Sequence, residues 1–190
     1  MVSIRGAEAE VQILEDRVIK RRIEKRYRIK ELDDEIRRKR TRMEAKIISQ
    51  ARRAGVATPV VYDVKGDMIV MEKIQGKLLR DCINEELSRS VGENVAVLHE
   101  NGIIHGDLTP KNIIVTSSRL YFIDFGLAFF DERIEPMGMD LHVYFESLKA
   151  DFDNYLELRI AFLEGYSKFR KYSQVVQRVE EIEERGRYRV

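Results

Sequence analysis

Tryptophan is absent from the 190 residues, and Cys82 is the only cysteine. A single thiol excludes an internal disulfide and fits a reducing compartment, so the expected location is the cytoplasm. No apolar run reaches the roughly 20 residues that a membrane-spanning helix needs, and the amino terminus lacks a secretory pattern. No membrane partner is therefore expected. The three histidines, His99, His105 and His142, are scattered and do not form a metal cluster. Glycine is nearly missing from the first 54 residues, where only Gly6 occurs. Charge is abundant at 35% of residues, and it is uneven. Arg17 to Arg53 holds 16 Lys and Arg against 6 Asp and Glu, a surplus of +10, so the remainder sums to −9 for a net charge of +1. Such asymmetry points to a polyanionic partner; the competing reading is a solvated helix face laced with ion pairs.

Against these absences stands one dense stretch, Ile103 to Ala128. His105-Gly106-Asp107-Leu108-Thr109-Pro110-Lys111-Asn112 matches H-x-D-L-x-x-x-N, and Asp124-Phe125-Gly126 follows it. Phosphoryl transfer from ATP by kinase-type enzymes uses this set. Asp107 is the candidate proton acceptor, and Asn112 and Asp124 are candidate Mg²⁺ ligands. Ile113-Ile114-Val115 and Leu120-Tyr121-Phe122-Ile123 read as strands joined by a turn at 116–119. A hairpin there brings Asn112 and Asp124 together.

Upstream, Val2 to Arg5, Val11 to Leu14 and Arg17 to Arg21 read as three strands. Lys20 on the third is placed for a phosphate-contacting lysine. The first turn, Gly6-Ala7-Glu8-Ala9, lacks G-x-G-x-x-G and carries Glu8, whose charge would stand near the phosphates. KRYRIK (25–30) reads as a basic loop. Tyr27 either packs on the sheet or stacks on a base. Asp33 or Asp34 is the expected cap of a long helix ending at Ala54, with Gly55 beyond it. Ile36, Met43, Ile47 and Ala54 form its expected inner face. Glu44 borders that face and is the expected partner of Lys20; the alternative is a surface pair with Arg40.

A hairpin is expected from Pro59–Val64 and Met68–Ile74, with Met71, Glu72 and Ile74 in the nucleotide-binding exit strand. Helices are expected at Leu78–Leu87, Ser88–Glu100, Met139–Ala150, Asp153–Phe169 and Ser173–Arg185. The inner face of the second carries Leu87, Val91, Val95 and Leu98. That of the fourth carries Leu156, Ile160 and Leu163, and that of the fifth Val175, Val179 and Ile182. A further absence concerns control. No Ser, Thr or Tyr occurs between Asp124 and Val143, no A-P-E motif follows, and Gly106 replaces the arginine of H-R-D. A phosphorylation-switched activation loop is thereby excluded from this segment.

GAEA, the IK strand, KRYR, RTRMEA, HGDLTPKN and IDFGLA together resemble the small atypical kinase of the KEOPS complex. Its eukaryotic members are the tumour-suppressor-related protein kinases. The resemblance spans essentially the whole chain and implies an α+β, minimal two-lobed kinase domain. Residues 1–74 would form the amino-terminal lobe, 75–184 the helical lobe, and 185–190 a basic tail. It implies ATPase and Ser/Thr kinase activity with ATP and Mg²⁺ as cofactors. Asp107, Lys20 and Glu44 would be catalytic, and Gly6, Ala7, Glu8 and Ala9 would lie near the nucleotide. Implied partners are the threonylcarbamoyl-transferase subunit, a small regulatory subunit on the amino-terminal lobe, and tRNA bound through the basic patch and tail. Lys111 departs from the family, which has a small polar residue there. Two further readings are a small-molecule phosphotransferase of the aminoglycoside or choline kinase type and a non-catalytic tRNA-binding scaffold.

Overall fold

The computed structural model describes residues 2–25 and 27–187, with side chains through Arg185. Five strands form an antiparallel sheet: β1 (Val2–Arg5), β2 (Ala9–Ile13), β3 (Arg17–Arg22), β4 (Val61–Lys65) and β5 (Met68–Glu72), in the order β1-β2-β3-β5-β4. Lys65 pairs with Met68 across the two-residue turn Gly66-Asp67, and Gly66 takes the left-handed φ of 60° that such a turn demands. Along β3 the period-two alternation buries both Lys20 and Arg22 on the face turned toward α1 (Lys30–Arg53).

Helix α1 begins earlier than the Asp33 or Asp34 cap predicts. Asp33 is instead buried within its first turn, where the basic loop and helix supply donors: Arg37 Nε at 2.8 Å, Arg28 at 3.3 Å and the Lys25 N–H at 3.4 Å. Those partners explain why a carboxylate is stable there. The other end follows expectation, with Gly55 at φ 102° directly after Ala54. The inner face is Thr41, Glu44, Ala45, Ile47, Ile48 and Ala51. Met43, expected inside, is exposed. The outer face is not uniformly free. Arg37 is held by Asp33, Asp34 and Asp67, and Arg40 by Glu8. Arg38, Lys39, Arg42 and Lys46 line an open hollow along the helix, with Glu31, Asp34 and Glu35 on the same lining. Tyr27 does not pack on the sheet: it is 78% exposed, with the Arg28 guanidinium 5.2 Å from its ring centre.

The rest is helical around small hairpins: β6 (Lys77–Leu78), α2 (Glu85–Glu100), β7 (Ile103–Ile104), β8 (Ile113–Val115), β9 (Leu120–Phe122), β10 (Phe129–Phe130), α3 (Ile134–Asp151), α4 (Tyr155–Tyr166) and α5 (Tyr172–Arg187). The helix expected over Leu78–Leu87 does not form. Leu78 pairs with Ile114, Leu79–Asp81 makes one 3₁₀ turn, and Asn84 is an N-cap that accepts from the Leu87 N–H at 2.8 Å. α3 starts five residues before Met139. Helix α4 turns a different face inward from that expected, and of Leu156, Ile160 and Leu163 only Leu163 packs against the core. Leu156 and Ile160 are 55% and 59% exposed, while Leu158, Ala161, Phe162, Gly165 and Tyr166 face α2 and the core. The cause is glycine. A Cβ on Gly92 would lie 2.0 Å from the Phe162 carbonyl oxygen, and one on Gly165 2.0 Å from that of Arg89. The two backbones therefore meet along their glycines, an approach closer than any aliphatic face allows.

One core joins α1 to the helical lobe through Ile47, Ile48, Val91, Val95, Leu98, Tyr144 and Phe162. Expected core residues Val175 and Val179 of α5 are buried. α5 runs to Arg187, past residue 185 where the tail was expected to begin. Arg26 and residues 188–190 lie outside the described residues. No described helix is long and apolar enough to cross a membrane.

Candidate active site

The β8–β9 hairpin aligns Ile113 with Phe122, and the Ile123 N–H donates to the Asn112 carbonyl at 2.9 Å. Asn112 and Asp124 thus flank the open end of one ladder. The Asn112 amide nitrogen donates to the Asp107 backbone oxygen and to its carboxylate Oδ2, each at 2.9 Å. That orients Asp107 and leaves the Asn112 side-chain oxygen Oδ1 uncommitted among the described bonds. Asp124 has φ 58°, the only positive φ outside glycine among the described residues. Such a backbone costs about 1–3 kcal/mol and persists only where its surroundings hold it. Here the Lys20 ammonium at 2.6 Å and the Gly126 N–H at 3.2 Å both donate to its Oδ1.

Lys20 also donates to Glu44 Oε1 at 2.6 Å. The structure therefore joins Lys20, Glu44 and Asp124; Arg40, the alternative partner of Glu44, is engaged elsewhere. Burial alone would push the Lys20 ammonium down, but the Glu44 and Asp124 carboxylates outweigh it and hold its pKa above the usual lysine value. Burial likewise opposes the charge on Asp124, and Lys20 overcomes it, leaving that carboxyl below its usual range. Both groups are charged at neutral pH. Sequence reading missed a second cation. Arg22 is buried, and its Nη2 donates to Glu44 Oε2 at 2.6 Å and to the Gly126 carbonyl at 3.2 Å. Its position two residues after Lys20 on a strand is the signal that could have found it.

Between sheet and hairpin lies a cavity of about 250 Å³. Val11, Val18, Met71, Ile74 and Ile123 give it an apolar lining, and Lys20, Glu44, Glu72 and Asp124 also face it. Met71, Glu72 and Ile74 are thus lining residues of this cavity. Gly6, Ala7, Glu8 and Ala9 do not line this cavity. Glu8 instead pairs with Lys25 at 2.9 Å and Arg40 at 3.3 Å, and the hydrogen bond from Lys25 holds its carboxyl below the usual range. Its charge is neutralised locally by the basic segment.

With this geometry, residues 9–137 match the family model described as RIO domain. The chain belongs to the RIO domain family. It is an atypical protein kinase by that membership and by its relatives. It is 62% identical over 183 residues to the "Probable serine/threonine-protein kinase BUD32 homolog" of Archaeoglobus fulgidus, a match covering 96% of this chain and 94% of that one. It is 49% identical over 185 residues to the "Probable bifunctional tRNA threonylcarbamoyladenosine biosynthesis protein" of Methanoculleus marisnigri. That match covers 97% of this chain but 35% of the relative, so this RIO domain spans about a third of the bifunctional protein. Among solved structures it is similar in fold to the Rio2 kinase from Chaetomium thermophilum, with a TM-score of 0.69 at 15% identity over 99% of this chain and 72% of that one.

Two further features of this RIO domain carry the catalytic loop. Asp140, buried on α3 between Met137, Leu141 and Tyr144, accepts the His105 N–H at 2.6 Å on Oδ2 and the Gly106 N–H at 2.7 Å on Oδ1. Its signal in the sequence is a lone acid on an apolar helix face. Burial pushes the His105 imidazole pKa down, so the ring is neutral, with Nε2 3.2 Å from the Ile123 carbonyl. Gly106 sits at φ 78°, and a Cβ there would lie 2.4 Å from the Leu127 carbonyl oxygen. Glycine at this site is a steric requirement. Lys111, the other departure, is paired with Asp151 at 3.6 Å.

Proposed function

We propose that this RIO domain transfers the γ-phosphoryl group of Mg-ATP to a protein hydroxyl or to water, and that it does so in support of threonylcarbamoyladenosine modification of tRNA. The observation that carries the reading is that Lys20, Glu44 and Asp124 face one cavity, while Asn112, bonded to Asp107, stands at the end of the same hairpin as Asp124. The adenine ring suits the lining at Met71, Glu72 and Ile74. Among the described residues no cluster of three His, Cys, Asp or Glu could hold a metal alone. Magnesium does not need one, because it takes one or two protein oxygens and completes its shell with phosphates and water. Asp124 and the uncommitted oxygen of Asn112 supply two such ligands. Bound Mg-ATP supplies the phosphoryl group and the cation that neutralises its charge. Asp107, oriented by Asn112, accepts the proton of the attacking hydroxyl. Glu44 fixes Lys20 so that its ammonium meets the phosphates.

The names of the relatives support the tRNA role, and the chain is taken as a cytoplasmic subunit of the complex that carries it out. In this reading residues 1–74 and 75–184 act as two lobes of one kinase domain. The threonylcarbamoyl-transferase subunit and a small regulatory subunit on the amino-terminal lobe are its protein partners. tRNA is met by Arg38, Lys39, Arg42 and Lys46 on the outer face of α1 and by the exposed ring of Tyr27, an arrangement suited to phosphate contact plus stacking. Arg37 is excluded from this set by its three carboxylate partners.

The test is ATP turnover, with and without tRNA and the transferase subunit, for the wild type, Asp107→Asn and Asp124→Ala. Asp107→Asn should abolish transfer and keep nucleotide binding; Asp124→Ala should weaken Mg-ATP binding itself. Equal loss of binding in both would show that the roles are misassigned. For the patch, Arg38→Ala with Arg42→Ala should lower the salt dependence of tRNA affinity by up to about 2, roughly 1 per phosphate contact.

A further inference from the structure

Glu44 gives one carboxylate oxygen to Lys20 and the other to Arg22. From β3 the two cations then continue to the same short segment by different routes, Lys20 to the Asp124 carboxylate and Arg22 to the Gly126 backbone carbonyl. Gly126 sits inside this cluster, since a Cβ there would lie 3.1 Å from Lys20 Nζ and 3.7 Å from Arg22 Nη2. We infer that Arg22 is a positioning residue, a second tie that keeps α1 and residues 124–126 in register when Lys20 lets go of Asp124. This rests on the Mg-ATP reading above in one respect: in that reading Lys20 turns to the phosphates and Asp124 to the metal. Their mutual bond is then surrendered at the moment the site must be best ordered. The Arg22–Gly126 bond involves a backbone oxygen that no nucleotide claims, so it persists.

Three observations favour this role over a plain structural one. Arg22 is 6% exposed, yet its Nε has no hydrogen-bond partner, so the side chain is held by the Nη2 bonds to Glu44 and Gly126 rather than by a closed network. Two cations meet two carboxylates, so the cluster is neutral without Arg22 having any further partner. The segment it holds contains no hydroxyl acceptor between Asp124 and Val143, so a phosphate cannot supply the ordering. Arg22 acts as a permanent latch where regulated kinases use a covalent one.

Redundant ties predict coupling, which can be read without nucleotide. Backbone hydrogen exchange over residues 124–128 would be compared in the nucleotide-free wild type, Arg22→Met, Asp124→Gly, which removes the acceptor and tolerates the positive φ, and the double variant. Each leaves Glu44 paired with Lys20, so no buried carboxylate is abandoned. Either single change should raise exchange less than about threefold, and the double change by more than about thirtyfold. Addition of Mg-ADP should make Arg22→Met alone raise exchange about tenfold over wild type, and its kcat should fall about tenfold with the KM for ATP shifted less than threefold. Additive exchange in the double variant overturns the tie, as does an unchanged kcat when Mg-ADP does make Arg22→Met raise exchange. Coupling without nucleotide together with no effect of Mg-ADP upholds the tie and overturns instead the assignment of Lys20 to the phosphates. Should the double variant not fold, Arg22→Gln, which can reach Glu44 or Gly126 but not both, replaces Arg22→Met under the same criteria.

Discussion

Replacing Asp140 by alanine tests how the catalytic loop is held. Its carboxylate accepts two backbone N–H groups, from His105 at 2.6 Å and Gly106 at 2.7 Å, and lies 3.4 Å from His99 Nε2. His105 is buried, so its N–H loses its partner outright; Gly106 is partly exposed, and water can replace some of its bond. An orphaned buried donor costs about 1–3 kcal/mol, and more when its partner was charged. Asp140→Ala should therefore cost about 3–5 kcal/mol in urea unfolding at neutral pH. Asp140→Asn keeps the shape but turns an amide nitrogen toward one of the two donors, so about half that loss is expected. Asp107 follows Gly106 directly, so kcat should fall by about tenfold or more for Asn, while the KM for ATP changes little because Lys20 and Met71 belong to the sheet. A loss below about 1 kcal/mol for Asp140→Ala, or an unaltered kcat, would refute the claim that α3 positions the loop.

Other consequences are as direct. Gly92→Ala or Gly165→Ala forces apart backbones 2.0 Å from the new carbon, and should cost about 3 kcal/mol or some 6–12 °C of melting temperature. Leu156→Ser and Ile160→Ser, on the exposed face of α4, should each change stability by less than about 0.5 kcal/mol in the same melts. Glu44→Ala should destabilise by about 1–3 kcal/mol more than Lys20→Met, since it leaves the buried Arg22 without a carboxylate, whereas Lys20→Met leaves Glu44 with Arg22. The pair Lys20–Asp124 also sets a pH window. Asp124 has a folded pKa below its unfolded value, so its contribution is present above about pH 4 and is lost as pH falls through the folded value. Lys20 has a folded pKa above its unfolded value, so its contribution is complete below about pH 10 and lost as pH rises further. Urea midpoints of Asp124→Asn across the acid range should show a flattened acid limb, and an unchanged limb would refute the assignment.

What could be read from residues alone was what depends on short spacing. HGDLTPKN, DFG and the two β-branched runs between them lie within 26 residues, so a local hairpin suffices to bring Asn112 to Asp124. Glu44 stood out as one acid beside Ile47 and Ile48 among arginines, and the strand register delivered Lys20 to it. Asp140 escaped because it grips backbone N–H groups 34 and 35 residues away, and backbone contacts leave no side-chain signature. The inner face of α4 was misread because hydrophobic spacing favours large aliphatic residues, whereas contact with α2 is decided by the room at Gly92 and Gly165. The start of α1 was misplaced because Asp33 resembles a cap in sequence, and only Arg28, Arg37 and the Lys25 backbone N–H make it acceptable inside the first turn.

The contact between Gly106 and Leu127 bears on how such an enzyme can change over time. Regulated kinases keep an arginine at the position of Gly106 as the receptor for an activating phosphate. Here the backbone is left-handed and the space for even one carbon is filled by a carbonyl oxygen. Two backbone segments, before Asp107 and after Gly126, rest on each other at that point. No single substitution can install the receptor, and an acceptor hydroxyl introduced between Asp124 and Val143 would lack that arginine as a partner for its phosphate. Covalent gating is thus closed as a one-step innovation, and the accessible route to control is through whatever docks against the molecule.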